Sequence, residues 1–158
     1  SETMAVHAAI SSSPLNLNEL VARVGNPECG AIATFLGVTR NYFQDKKVVQ
    51  LEYEAYEPMA VKQITIILQE AVEKWELKGA VCEHRTGIVP VGEPSIIIAC
   101  SSGHRPQAFD ACRYIIDTVK ARVPVWKKEI YEDGSVWKEN SEFRAPGGAG
   151  AALAEAAA

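Results

Sequence analysis

A chain of 158 residues, 47% hydrophobic and 23% charged, can bury the core of one domain without disulfides or a structural metal. Its formal charge of -4 and pI near 5.4 exclude a general nucleic-acid binder, which needs a broad basic surface. No stretch is long and apolar enough to span a bilayer, and no basic region precedes an apolar core at the N-terminus, so a cytosolic location is expected.

Residues 1–14 are small and polar without periodicity and are expected to form a flexible arm, followed by one domain over residues 15–145 and a low-complexity Gly/Ala tail over 146–158. Asn16 or Asn18 can cap a short helix to Val24, with Gly25 ending it in a left-handed conformation. The apolar run Gly30 to Gly37 suits a buried strand, and the polar stretch from Gly37 to Lys47 reads as a loop. Val49, Leu51, Tyr53 and Ala55 alternate with Gln50, Glu52 and Glu54, the period of a strand with one wet face. Pro58 opens a helix whose stripe is Ala60, Ile64, Ile67, Leu68, Ala71 and Trp75, with Met59 also expected in the core and Lys78-Gly79 closing the element.

Ala80 to Arg85 forms a short strand, and Ser95 to Ser101, with three successive isoleucines, a central strand buried on both faces. Ser101 to Pro106 then leads into a helix reaching about Arg122, with Ala108, Phe109, Cys112, Ile115, Ile116 and Val119 inward. After Pro124, alternating residues flank Asp133-Gly134, a hairpin signal, so Lys127 and Lys128 must point to opposite faces. The chain thus reads as mixed strands and helices.

Charge is concentrated late in the chain. From His104 to Lys128 there are six Lys/Arg against two acids, and four of the 16 Lys/Arg fall between Lys120 and Lys128. Such a cluster is either a solvated basic face or a site for a phosphate or carboxylate. Arg40, just past a strand, reads as a rigidly mounted ligand contact or a surface ion pair. His104 and Arg105 stand where backbone N–H groups and the helix dipole favour anions, unless they only cap the helix. Lys120 and Lys127 are the candidates for chemistry: a lysine beside other cations, shielded by Val125 and Trp126, is expected to release its proton more readily.

The four cysteines have no Cys-x-x-Cys spacing, and Cys82, His84, Cys100 and His104 lack the tight spacing of a zinc site. No serine-histidine-acid order, phosphate loop or dinucleotide fingerprint is present. Arg105 and Lys120 stand at opposite ends of one helix, about 22 Å apart at the usual rise. A pocket using both must therefore be completed by a second copy across a two-fold interface.

Val38-Thr39-Arg40-Asn41, Leu51-Glu52-Tyr53-Glu54-Ala55-Tyr56, His84-Arg85-Thr86-Gly87, Ser102-Gly103-His104-Arg105 and Val123-Pro124-Val125-Trp126-Lys127-Lys128-Glu129 together resemble the catalytic (large) subunit of molybdopterin synthase, in uninterrupted order from about Cys29 to Glu139. The resemblance implies an α+β fold, an α/β-hammerhead with an additional antiparallel β subdomain, compatible with the mixed strands and helices above. It implies a sulfurtransferase that converts cyclic pyranopterin monophosphate (precursor Z) into the molybdopterin dithiolene. The sulfur would come from the thiocarboxylated C-terminal glycine of a small ubiquitin-like subunit, two of which would flank a homodimer core in a heterotetramer. The implied catalytic residues are Lys120 and Lys127, and the implied substrate contacts are Val38, Thr39, Arg40, His104, Arg105, Lys120, Lys127, Lys128 and Glu129. No cofactor, metal, nucleic acid or membrane is implied. Two other readings of the residues stay open: a different phosphate-handling lyase or hydrolase using Lys120, and a non-catalytic adaptor that binds an acidic C-terminal tail.

Overall fold

In a computed structural model, which describes residues 6–140, the chain forms two sheets and three helices. The first sheet takes β1 (Val6–Ser11), β5 (Gly79–Arg85), β7 (Pro94–Ser102) and β2 (Ala31–Val38), in that spatial order. β1 runs parallel to β5, and the other pairs are antiparallel. Helix α1 (Leu17–Val24) lies on one face, and α2 (Glu57–Trp75) and α3 (Arg105–Arg122) lie together on the other.

Alternation along the central strand explains this layering. Ile96, Ile98 and Cys100 of β7 face α2 and α3, while Ile97 and Ala99 join Val81, Leu20 and Val24 under α1. Both faces of β7 are thus covered, as three consecutive isoleucines require. Ile64, Ile67 and Leu68 of α2 and Ile115 of α3 are fully buried, each contributing roughly 1.5–3 kcal/mol of transfer free energy.

The second sheet is antiparallel, in the order β3 (Tyr42–Phe43), β4 (Lys46–Ala55), β8 (Val125–Tyr131) and β9 (Val136–Asn140), with β6 (Gly87–Pro90) also paired to β4. It carries its own small core of Val48, Leu51, Tyr131 and Trp137. The fold is therefore α+β, a helix-covered hammerhead sheet with the added antiparallel subdomain.

Several expectations change. The arm foreseen over residues 1–14 contains β1, which takes the open edge of β5. His7 reaches across to Glu83 at 2.7 Å to fasten it. The loop foreseen from Gly37 to Lys47 folds back as a short hairpin, turning through Gln44 and Asp45 at φ 50° and 65°. Val49 points outward and Val48 inward, because the register shifts between Val48 and Gln50 and inverts the alternation. α2 stops at Trp75 with Glu76 left-handed rather than at Lys78-Gly79, and Gly25 is extended at φ -60° rather than left-handed. Met59 and Phe109 are exposed, each lying just off its helix's buried stripe. The tail over 146–158 lies outside the described residues.

The start of β2 is pinned to the loop that carries His104. The Gly30 N–H donates to the carbonyls of both Ser102 and Gly103, each at 3.1 Å. A Cβ on Gly30 would stand 2.6 Å from the Gly103 oxygen, closer than any carbon can sit. Gly30→Ala is expected to cost ~1–3 kcal/mol of stability. Chemical unfolding should show this as a lower midpoint at unchanged slope.

Candidate functional site

Where the C-terminal end of α3 meets both sheets, the protein encloses a cavity of about 510 Å3, a size suited to a small molecule. Its floor is apolar, from Phe35, Val48, Leu51, Ile96, Ile116, Val119, Val123 and Val125. Its polar groups are Thr39 and Arg40 just after β2, Tyr42 of β3, Tyr53 of β4, His84 of β5, Ser95 of β7, Lys120 of α3, and Lys127 and Glu129 of β8. Tyr53, Lys127 and Glu129 are held in register by the β4–β8 ladder, and His84, Ser95 and Lys120 stand near the ends of their elements.

The fold divides the four cations of the late cluster among three placements. Arg122 turns to Glu70 of α2, donating from Nη1 at 3.0 Å to an oxygen that also accepts from Tyr114. These two donors hold the Glu70 carboxyl below its ordinary value, the Tyr114 hydrogen bond being the larger cause. Lys128 pairs with Glu52 at 2.9 Å on the outer face of the second sheet and does not line the cavity. Lys120 and Lys127 both line it, with Arg40. Lys127 is held by Glu129 at 3.4 Å, and its ammonium lies 5.7 Å from the Trp137 ring centre.

Glu129 is buried, 5% exposed, and its second oxygen accepts from the Tyr131 hydroxyl at 2.7 Å. Burial first, and then this bond, pushes the Tyr131 hydroxyl well above its ordinary value, so it stays a donor. Three cations therefore share the cavity with one buried carboxylate. Such a balance favours an anionic ligand.

Thr39 carries an independent sign of a ligand. Its backbone is pinned on both sides, the N–H to Glu93 O and the carbonyl accepting from Gly92 N, yet its buried Oγ1 has no hydrogen-bond partner. A buried hydroxyl left unpaired costs about 1–3 kcal/mol. A polar group bound in the cavity would satisfy it.

His84 is the residue that sequence reasoning did not place here. In the sequence it stands out only beside the cysteines and within a family motif, because nothing local distinguishes a core histidine from a pocket one. Its Nδ1 stands 2.8 Å from the Arg85 carbonyl oxygen, which can only accept, so Nδ1 carries the proton and Nε2 is the free lone pair. The ring meets Tyr53 edge-on at 4.9 Å. Burial, with a smaller contribution from the charge of Lys120, lowers its pKa from the ordinary 6.5 to about 4.

Three expected site residues do not reach this cavity within one chain: His104, Arg105 and Lys128. His104 and Arg105 sit at the far end of α3, exposed, with no side-chain bond from His104 to the helix. Val38, Thr39, Arg40, Lys120, Lys127 and Glu129 do line it. Trp126 points away from it, 40% exposed beneath the Lys138 ammonium, so Val125 alone of that pair shields the cavity.

Comparison with known proteins gives a consistent picture. The MoaE protein family model matches residues 10–122, which include Arg40, His84, His104, Arg105 and Lys120. The chain is similar to the molybdopterin synthase catalytic subunit of Homo sapiens, 51% identical over 132 residues that cover 84% of this chain and 70% of that protein. A relative of the same name from Drosophila willistoni is 48% identical over 143 residues, 89% of this chain but 38% of its own length. Among solved structures, molybdopterin synthase from Staphylococcus aureus is 36% identical with a TM-score of 0.79, over 83% of this chain and 95% of that one. The MoaE protein from Burkholderia ambifaria is 29% identical with a TM-score of 0.75, over 97% and 99%.

The depressed pKa of His84 has a consequence for stability. The unfolded chain takes up this proton near the ordinary value of 6.5 and the folded chain only near 4, so acid favours unfolding across that window. The His84 contribution is complete above pH 6.5, falls away as the pH drops to about 4, and amounts to roughly 3 kcal/mol. Unfolding free energies measured at pH 7 and pH 4 should differ by that much more in the wild type than in His84→Gln.

Proposed function

Because the chain belongs to the MoaE protein family, we propose that it is a molybdopterin synthase catalytic subunit, a sulfurtransferase of molybdenum-cofactor biosynthesis, whose working site is the cavity shared by Arg40, Lys120 and Lys127. Its substrate is the cyclic pyranopterin monophosphate, and its sulfur arrives as a thiocarboxylate on the C-terminal glycine of a small ubiquitin-like subunit. The observation that carries this reading is the convergence of three cations and an unsatisfied threonine hydroxyl on one mostly apolar cavity of small-molecule size. The apolar walls suit a pterin ring and the cations suit its phosphate and the anionic thiocarboxylate, both of which lose most of their water on entry.

Within this reading Arg40 anchors the phosphate, because a guanidinium offers paired donors and keeps its charge. Lys120 moves the proton or steadies the charge that develops when sulfur leaves the acyl carbon, and Lys127, oriented by Glu129, assists. Val38 and Thr39 adjoin the substrate. His104 and Arg105 come from a second copy of the chain, since about 22 Å of helix separates Arg105 from Lys120. The assembly is then a homodimer core flanked by two small subunits. The working domain spans residues 15–145 together with β1, and the protein acts in the cytosol. Among the described residues no helix is long and apolar enough to cross a membrane.

Partner-dependent conversion of the cyclic pyranopterin monophosphate by purified protein tests the function directly. Conversion without the thiocarboxylated partner would point instead to a lyase or hydrolase, and partner binding without conversion to an adaptor. Lys120→Ala is expected to slow product formation by roughly 100-fold or more while the small subunit still binds. Mixed dimers of Lys120→Ala and Arg105→Ala chains should regain about half the wild-type turnover, one site of two being intact. No recovery in verified mixed dimers would contradict the shared site.

A further inference from the structure

The cavity is lined by one imidazole, which the scheme above does not use. His84 sits on β5 with Ala80 and Cys82 on the face that packs against α2 and α3, at the end of the strand nearest the second sheet. Lys120 rises from the last turn of α3, one residue after buried Val119 and four after Ile116, both of which line the same cavity. Two neighbours lock the ring: the Arg85 carbonyl accepts a hydrogen bond from Nδ1–H at 2.8 Å, and Tyr53 packs against it edge-on. Tyr53 in turn is held in cross-strand register with Lys127. The ring's remaining polar atom, Nε2, is therefore an acceptor whose direction the fold sets.

We propose that His84 is a positioning residue for Lys120, offering Nε2 as a fixed, uncharged acceptor that orients the Lys120 ammonium within the cavity. The proposal rests on the functional reading above for the role of Lys120, and on the cavity geometry for the role of His84. A neutral acceptor suits this position better than a carboxylate. It holds an ammonium in one direction without cancelling its charge, so the cavity stays attractive to anions. It also avoids tightening the lysine's grip on its proton as an adjacent carboxylate does. Both residues line the same cavity, and burial, with a smaller contribution from the charge of Lys120, keeps His84 in its acceptor form at neutral pH.

Two replacements separate the two ring nitrogens. His84→Asn retains a donor for the Arg85 carbonyl and removes the acceptor at the ε position, whereas His84→Gln returns an amide oxygen to that reach. In the partner-dependent reaction, His84→Asn should lower kcat by roughly 10- to 100-fold with KM for the pterin nearly unchanged. His84→Gln should recover most of the loss. Equal losses in both variants that track a fall in Tm would overturn the proposal, as would wild-type kcat in His84→Asn. A second measurement does not depend on turnover. Nitrogen-15 spectra of the imidazole should show the Nδ1–H tautomer, with an Nε2 resonance that moves in Lys120→Met. An unmoved resonance sinks the role assigned to His84 even if the wild-type enzyme converts its substrate. A moved resonance with no conversion by the wild type leaves His84 beside Lys120 and sinks the functional reading instead.

Discussion

Strand register between β4 and β8 is the constraint on which the site depends. Tyr53 stands opposite Lys127 and Leu51 opposite Glu129, so these four share the inward face, while Glu52 opposite Lys128 and Glu54 opposite Trp126 share the outward one. A slip of one residue would exchange the two sets and bring Lys128 and Trp126 into the cavity. The small core of Val48, Leu51, Tyr131 and Trp137 forbids that slip, because its members lie on the same inward face as Lys127 and Glu129. The bulge at Val49 serves the same register. It absorbs one extra residue and keeps both Val48 and Leu51 buried.

Electrostatics then follows from packing. A run of basic residues in sequence becomes three separate arrangements in space: Arg122 ties α3 to α2 through Glu70, Lys128 is answered by Glu52, and Lys120 and Lys127 face inward with Arg40. Carboxylates on neighbouring elements neutralise the cations that do not face the cavity. Inside it, one buried carboxylate fixes Lys127, and the only imidazole among the lining residues is kept neutral by its own burial. The result is a positive cavity in which Lys127 and Glu129 are largely buried, while Arg40 and Lys120 stand at its exposed side. The buried charges act on a ligand more strongly than the same charges in water.

Much of this was legible in the sequence, for physical reasons that also explain the exceptions. Strong periodicity marked both long helices, and the isoleucine run of β7 marked a strand covered on both sides. Asp133-Gly134 located the β8–β9 hairpin, and alternation there told Lys127 from Lys128. β1 was not legible because its alternation is faint: Val6, Ala8 and Ile10 pack on the core, but Ala9 on the other side is as small and apolar as Ala8, and the pairing with β5 supplies the rest of its strand character. β3 is two residues long and β6 four, too short to carry a period. Met59 and Phe109 were placed inward because residue type was weighed above position at the edge of a helical stripe. Arg40, Lys120 and Lys127 stood out as cations at element ends, whereas His84 and Tyr53 join the site only through the contact between two sheets, which no local pattern encodes.

One region of the expected site lies outside this cavity, at the opposite end of α3, where His104 and Arg105 are exposed. If the proposed site is right, substrate binds where Lys120 of α3 and Lys127 of β8 line the cavity with Arg40. The most direct measurement is a backbone and side-chain resonance map of the protein titrated with the cyclic pyranopterin monophosphate. Shifts are expected to centre on Thr39, Arg40, His84, Lys120 and Lys127, with a second set at His104 and Arg105 only in the dimer. Shifts on the outer face around Lys128 and Trp126, with Thr39, Lys120 and Lys127 undisturbed, would contradict the proposed site.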